Sequence, residues 1–316
     1  MLRCVLTDVN GQQKTMPRLL SLQVDVDEGV PADALYAVFP YEPTDELSGI
    51  TLYEEDLPVF IGVVDEEEHI RGNKGAFLKI SARSLAAHLL DNEAMPCAYD
   101  HPSLSVMAQR YVEPYGITLG TDSDEVFFGQ QSITKGTSCW KALKNFCIAC
   151  YSAVPRISSV GVLYPKGTEH RGETVFGDNG VRYTQLRAVK KRCEEISTVR
   201  VKATNAGTYS LPIENASAKS RGVRRERYLN AVLTESPMRC ADAMIANGNA
   251  RSYAVYLRCE GCLLGTEGNR ALIKDESISV GEDLYISAVH YRMKSDGDYS
   301  NITLKRRTDR CGSMNI

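Results

Sequence analysis

The 316-residue chain has no hydrophobic run approaching 18 residues, so it offers no membrane span. It also lacks a basic excess. Its 37 Lys and Arg stand against 40 Asp and Glu, giving a formal net charge of -3 and a pI of about 6.0. A dedicated duplex-DNA binder shows the opposite balance. Met1 to Asn10 carries one Arg and only a short apolar patch before Asp8, which is not the pattern of a secretory signal. The expectation is therefore a chain made and kept in a cytoplasm. GxSxG, HExxH and P-loop motifs are missing. What remains is ordinary globular material: 43% hydrophobic and 24% charged residues, enough chain for two or three domains, and ample length for a sizeable core.

Ten cysteines are many for such a chain: Cys4, Cys97, Cys139, Cys147, Cys150, Cys193, Cys240, Cys259, Cys262 and Cys311. In a small secreted protein they would suggest disulfides, but here the simpler reading is free, buried thiols. Cys147-Ile148-Ala149-Cys150 and Cys259-Glu260-Gly261-Cys262 are two CxxC pairs, and four thiolates could hold tetrahedral zinc. Over 100 residues separate the pairs, far from a zinc-ribbon interval, and the first lies on the apolar stripe of a predicted helix. There an i, i+3 spacing turns both side chains to the core. A redox pair would want its first Cys at a helix N-terminus, whereas Cys147 lies mid-helix. The histidines are His69, His88, His101, His170 and His290, and none sits in a local motif with a Cys or Ser. A Cys139–His170 peptidase pair is the one nucleophile–base combination to weigh.

Hydrophobic periodicity places the elements. Leu20 to Val26 alternates apolar and polar residues, as a half-buried strand does. Leu35–Phe39, Pro58–Val64 and Ala76–Ile80 are further strands, with an acidic loop expected at 65–75. Ser84–Leu90, Pro102–Val112 and Gly136–Tyr151 read as helices, the last capped by Thr137 or Ser138 and striped by Trp140, Leu143, Cys147, Cys150 and Tyr151. Further strands are expected at Val181–Arg187, Ser197–Ala203, Tyr209–Ile213, Tyr253–Leu257, Ala271–Ile273, Asp283–Tyr291 and Tyr299–Leu304. A helix follows Ser236 as N-cap and Pro237 at N1, with Gly248 expected just past its end. The fold class is α+β, mainly β: a first β domain at 1–92 that reads as a small barrel or sandwich, a small α/β insertion at 93–165, and a second β domain at 166–316. The last of these carries a helical insertion near 236–248 and a short polar tail. The strand–loop–strand units at 56–83 and 283–307 echo one another, as two copies of one β unit would.

Two charge clusters add to this. The runs Glu54-Glu55-Asp56 and Glu66-Glu67-Glu68 are solvated loops, or else a negative channel wall that lets nucleic acid pass without sticking. Arg221, Arg224, Arg225 and Arg227 are solvated, or else pair with acidic residues of a neighbouring subunit.

Several segments, taken in order, resemble one family. Leu57-Pro58-Val59-Phe60-Ile61-Gly62-Val63-Val64-Asp65 resembles the P-x-F-x-G-x-V-D strand of phage tail hub proteins. Ile80 to Ser84, running on to Leu90-Asp91-Asn92-Glu93-Ala94, is similar to their x-G-R-S … L-x-D-x-x-A segment, with Ala82 where Gly is common. Tyr115-Gly116-Ile117 matches Y-G-I, and Gly136 to Leu143 resembles the G-x-S-x-W-x-x-L helix start. Pro155 to Leu163 resembles the hairpin P-x-x-x-x-x-G-x-L, and Leu284 to Leu304 the last barrel hairpin. Together they span roughly 17–307. The resemblance is to baseplate hub proteins of contractile phage tails and phage-derived tailocins, the late-control-protein-D and Mu-like tail group. It implies that 1–92 and 166–316 are tube-like β-barrel domains, and that the protein is a non-enzymatic homotrimer whose two barrels per subunit make a pseudo-sixfold ring. Such a ring joins a hexameric tail tube to a trimeric spike, contacts other baseplate components, and passes phage DNA where the particle is a phage. It also implies a virion baseplate location, assembly in the bacterial cytoplasm, no membrane insertion, no cofactor, and no catalytic, cofactor-binding or metal residue. Two competing readings are a tail-associated peptidoglycan hydrolase and a metal-stabilised adaptor.

Overall fold

The computed structural model describes residues 2–73, 75–151, 153–168, 172–202, 207–230, 237–275, 278, 280–281 and 283–306. The chain divides into two units. The first is built from 1–172, 259–268 and 287–302, the second from 173–258, 269–286 and 303–316.

The first unit opens with β1 (Leu2–Asp8), β2 (Gln13–Thr15), β3 (Ser21–Asp27), β4 (Ala34–Pro40), β5 (Leu47–Glu54), β6 (Leu57–Gly72) and β7 (Gly75–Ser84). Their antiparallel order is β3-β4-β7-β6-β5-β1-β2. β3 shows the expected alternation, with Leu22, Val24 and Val26 buried and Gln23 and Asp25 half-buried on the other face. β1 escapes a period-two search because Cys4, Val5 and Leu6 are buried in succession and the ladder slips at Thr7/Asp8.

The acidic loop expected at 65–75 is instead strand from Asp65 to Gly72. β6 continues to Gly72, and β7 answers it residue for residue after a bulge between Val64 and Glu66. Its backbone is paired along one side by β7, so the strand survives a stretch in which apolar alternation has vanished. The close approach at Gly62 is equally structural. A Cβ there would lie 2.5 Å from the Phe60 ring and 2.6 Å from the Arg83 carbonyl, so the strand needs glycine.

The segment after β7 holds α1 (Ala87–Asp91), β8 (Cys97–Asp100), α2 (Leu104–Tyr111), β9 (Thr118–Leu119), β10 (Gln130–Ile133), α3 (Cys139–Tyr151), β11 (Arg156–Ile157) and β12 (Val162–Tyr164). Ser103 Oγ caps α2 by accepting from Val106 N–H at 3.3 Å, and Ser138 Oγ accepts from Lys141 N–H at the start of α3. The α2 stripe of Leu104, Met107, Ala108 and Tyr111 packs with Trp140, Leu143, Phe146 and Cys147 of α3 in one apolar cluster. Small sheets β8–β10 and β11–β12–β9 flank these helices in the strand ladder.

The second unit contains β13 (Glu173–Gly177), β14 (Tyr183–Lys190), β15 (Thr198–Lys202), β16 (Leu211–Glu214), α4 (Ala216–Ser220), β17 (Glu226–Asn230), α5 (Pro237–Arg251), β18 (Tyr253–Glu260) and β19 (Arg270–Lys274). β15 lies between β16 and β17, and Val199, Val201 and Ile196 pack with Ala241 of α5. β17 opens with Glu226 and Arg227 where strands usually carry apolar residues, so periodicity does not reveal it. Ser236 lies outside the described residues. Gly248 does not end α5, which runs on to Arg251. A Cβ at Gly248 would sit 2.9 Å from the Glu194 carbonyl, so this glycine serves close packing inside the helix rather than termination.

Two closing strands, β20 (Leu284–Lys294) and β21 (Gly297–Arg306), are neighbours in the sheet. Ala288–Met293 of β20 pairs antiparallel with β3. The fold is α+β and mainly β, as expected. The closed tubes are not found: among the described residues the ladder of the first unit stops at three-residue β2, which pairs only with β1. Closure would need the first and last strands to hydrogen-bond. Among the described residues, no helix is long and apolar enough to cross a membrane.

Candidate assembly surface

Of the candidate thiols, Cys139, Cys147 and Cys259 are buried and Cys150 and Cys262 are partly buried. Cys139 is 5% exposed and lies beside Tyr115, and burial pushes its thiol up rather than toward thiolate. Its proposed partner His170 lies outside the described residues. Burial pushes the thiols of Cys147, Cys259 and Cys262 up to about 12. Among the described residues, no group of three or more His, Cys, Asp or Glu is placed to hold a metal ion.

The arginine cluster divides in two. Arg221 reaches Glu195 at 2.7 Å, and Arg225 lies 3.7 Å from Glu194 while donating to the Cys193 carbonyl. Arg224 and Arg227 are exposed and have no carboxylate partner among the described residues. Beside them on β17, an edge strand of its small sheet, Tyr228 is 61% exposed and makes a T-shaped contact with Tyr209.

The acidic runs divide similarly. On β6, Glu68 meets Lys79 at 3.5 Å, Glu67 accepts the Leu47 N–H, and Asp65 shares Arg83 with Asp91. Across β3 and β20, Asp25 collects His290 and Arg292, each at 2.7 Å, and Gln23 at 2.8 Å. Glu54 and Glu55, at the β5–β6 turn, open onto a groove of about 510 Å³ within the first unit. Leu57 and Leu264 are among its apolar walls, Glu267 is a third carboxylate, and Arg156 is its cation. That cation is already committed, because Arg156 Nη2 lies 2.6 Å from both carboxylate oxygens of the fully buried Asp33. Burial and the nearby Asp33 push Glu267 up to about 7, although Gly265 N–H donates to it.

Sorting the charges by unit exposes a partition that the near-neutral total conceals. The first unit holds 16 Lys and Arg against 27 Asp and Glu, a net of −11. The second holds 21 against 13, a net of +8.

No protein-family model matches the sequence, and no curated protein matches it. Solved structures do. The tail protein from Neisseria meningitidis MC58 is similar at a TM-score of 0.76 and 14% identity, over 96% of this chain and 96% of that one. The 43 kDa tail protein of prophage MuSo2 from Shewanella oneidensis gives 0.75 and 13%, over 97% and 98%. The E. coli c3393 protein gives 0.59 and 8%, over 99% of this chain and 78% of that one. It is described as a type VI secretion component structurally similar to the T4 bacteriophage tail proteins gp27 and gp5. At these identities the likeness speaks for architecture, and it extends over nearly the whole sequence: this chain has the fold of phage and prophage tail proteins.

Proposed function

We propose that the chain is a structural baseplate hub of a contractile phage tail or tailocin. Three copies close a pseudo-sixfold ring that joins the hexameric tail tube to the trimeric spike. The observation that carries this reading is the end-to-end likeness to two tail proteins, with no large segment left over on either side. The ordered motifs from Leu57 to Leu304 point the same way. The reading makes the protein non-enzymatic, and the burial of Cys139 supports that over the hydrolase alternative.

Light scattering on the purified chain, alone and mixed with its tube and spike neighbours, tests the reading. A particle of three times 34.9 kDa that binds both neighbours is the expected outcome. A persistent monomer that binds neither overturns it.

A further inference from the structure

A ring of identical chains is held by two unlike patches of one chain, each meeting its counterpart on the next copy. The charge partition supplies two such patches. In the first unit, Glu54, Glu55 and Glu267 surround an apolar groove whose one arginine is already bound to Asp33. In the second, Arg224, Arg227 and Tyr228 lie on and just before an exposed edge strand.

We propose that the groove of one copy receives the Arg224–Tyr228 segment of the neighbouring copy. The guanidinium groups face Glu54 and Glu55, and the Tyr228 ring covers Leu57. This rests on the ring reading above and deepens it by naming the two faces that meet. Charge complementarity selects the occupant: the groove has carboxylates to spare, and the two arginines have no carboxylate of their own among the described residues. Apolar exposure agrees with it. Leu57 is 73% and Tyr228 61% exposed, the kind of side chains that an interface covers at its centre.

Charge reversal on the full-length chain tests this, read as particle mass at low and high salt. Glu54→Lys with Glu55→Lys, and separately Arg224→Glu with Arg227→Glu, are each expected to raise the concentration needed for trimers about tenfold or more. Combining all four restores attraction and returns trimers near the original concentration. Circular dichroism verifies that each variant is folded. Tyr228→Ala, a truncation at an exposed site, gives a second reading and weakens the trimer without changing charge. Trimers unaffected by both reversals overturn the pairing while leaving the ring intact. Trimers lost in both reversals and not regained in the combination also overturn it, because the groove then serves a different partner. A wild type that is monomeric at every concentration and binds neither tube nor spike removes the ring reading itself.

Discussion

Asp33 and Arg156 lie 123 positions apart in sequence and share a forked ion pair. One guanidinium nitrogen of Arg156 is 2.6 Å from each oxygen of a carboxylate with no solvent exposure. The same guanidinium donates to the Val30 carbonyl at 2.9 Å, and Ser84 Oγ accepts the Asp33 N–H at 3.0 Å. The pair therefore ties the β3–β4 turn to the start of β11. Arg156→Ala strands a buried carboxylate and should destabilise the protein by about 3–5 kcal/mol. Asp33→Asn in the same background should recover part of that loss. Chemical denaturation midpoints of the single and double variants check both statements.

Asp25 is expected to contribute to acid sensitivity. Burial raises its carboxyl, but hydrogen bonds from His290, Arg292 and Gln23 outweigh that and hold it at about 2, below its ordinary 3.8. The folded state thus favours the ionised form. Its stabilising contribution, about 1 kcal/mol for so partly exposed a group, is present above the ordinary carboxylate range and is lost as pH falls toward 2. Asp25→Asn should lower the melting temperature at pH 7 and flatten the fall in stability between pH 4 and 2. Thermal melts across that range decide it. An unchanged acid slope would show that other carboxylates set the transition.

Gly62 tests the packing of the first sheet. Gly62→Val places a branched side chain against the Phe60 ring and the Arg83 backbone, where even a Cβ lies under 3.0 Å from both. A loss of about 1–3 kcal/mol is expected, with the β6–β7 ladder yielding first. Amide hydrogen exchange of strands β6 and β7 reports it directly.

Thiol accessibility separates core from surface cysteines. Cys193 is exposed, whereas Cys4, Cys139, Cys147 and Cys259 are buried. A maleimide reagent should label Cys193 in the native protein at least about tenfold faster than those four. Peptide mass mapping after timed quenching measures the rates. Rapid native labelling of Cys139 would revive the hydrolase reading.

Much of the fold was legible wherever one face is apolar and the other wet. β3, α2 and α3 declare themselves because Leu22, Val24 and Val26, then Leu104, Met107 and Ala108, recur at the period of their element. β6 beyond Val64 did not, since a strand made of Asp65, Glu66, Glu67 and Glu68 is held by its neighbour's backbone and leaves no hydrophobic trace. Gly248 reads as a stop in the sequence because a packing glycine and a terminating one look alike without the Glu194 carbonyl that lies against it. The groove was invisible for a different reason. Glu54, Arg156 and Glu267 come from three distant stretches, and nothing local in any of them signals the others.

The outer margin of β6 past Val63 has no strand beside it among the described residues, and it presents three successive glutamates. Bare ladder edges invite identical molecules to stack sideways without limit, and a row of like charge forbids that. Two copies brought margin to margin repel, so runaway fibre growth is blocked along this side. A ring of three, as proposed above, would instead join each copy to the next through surfaces that differ.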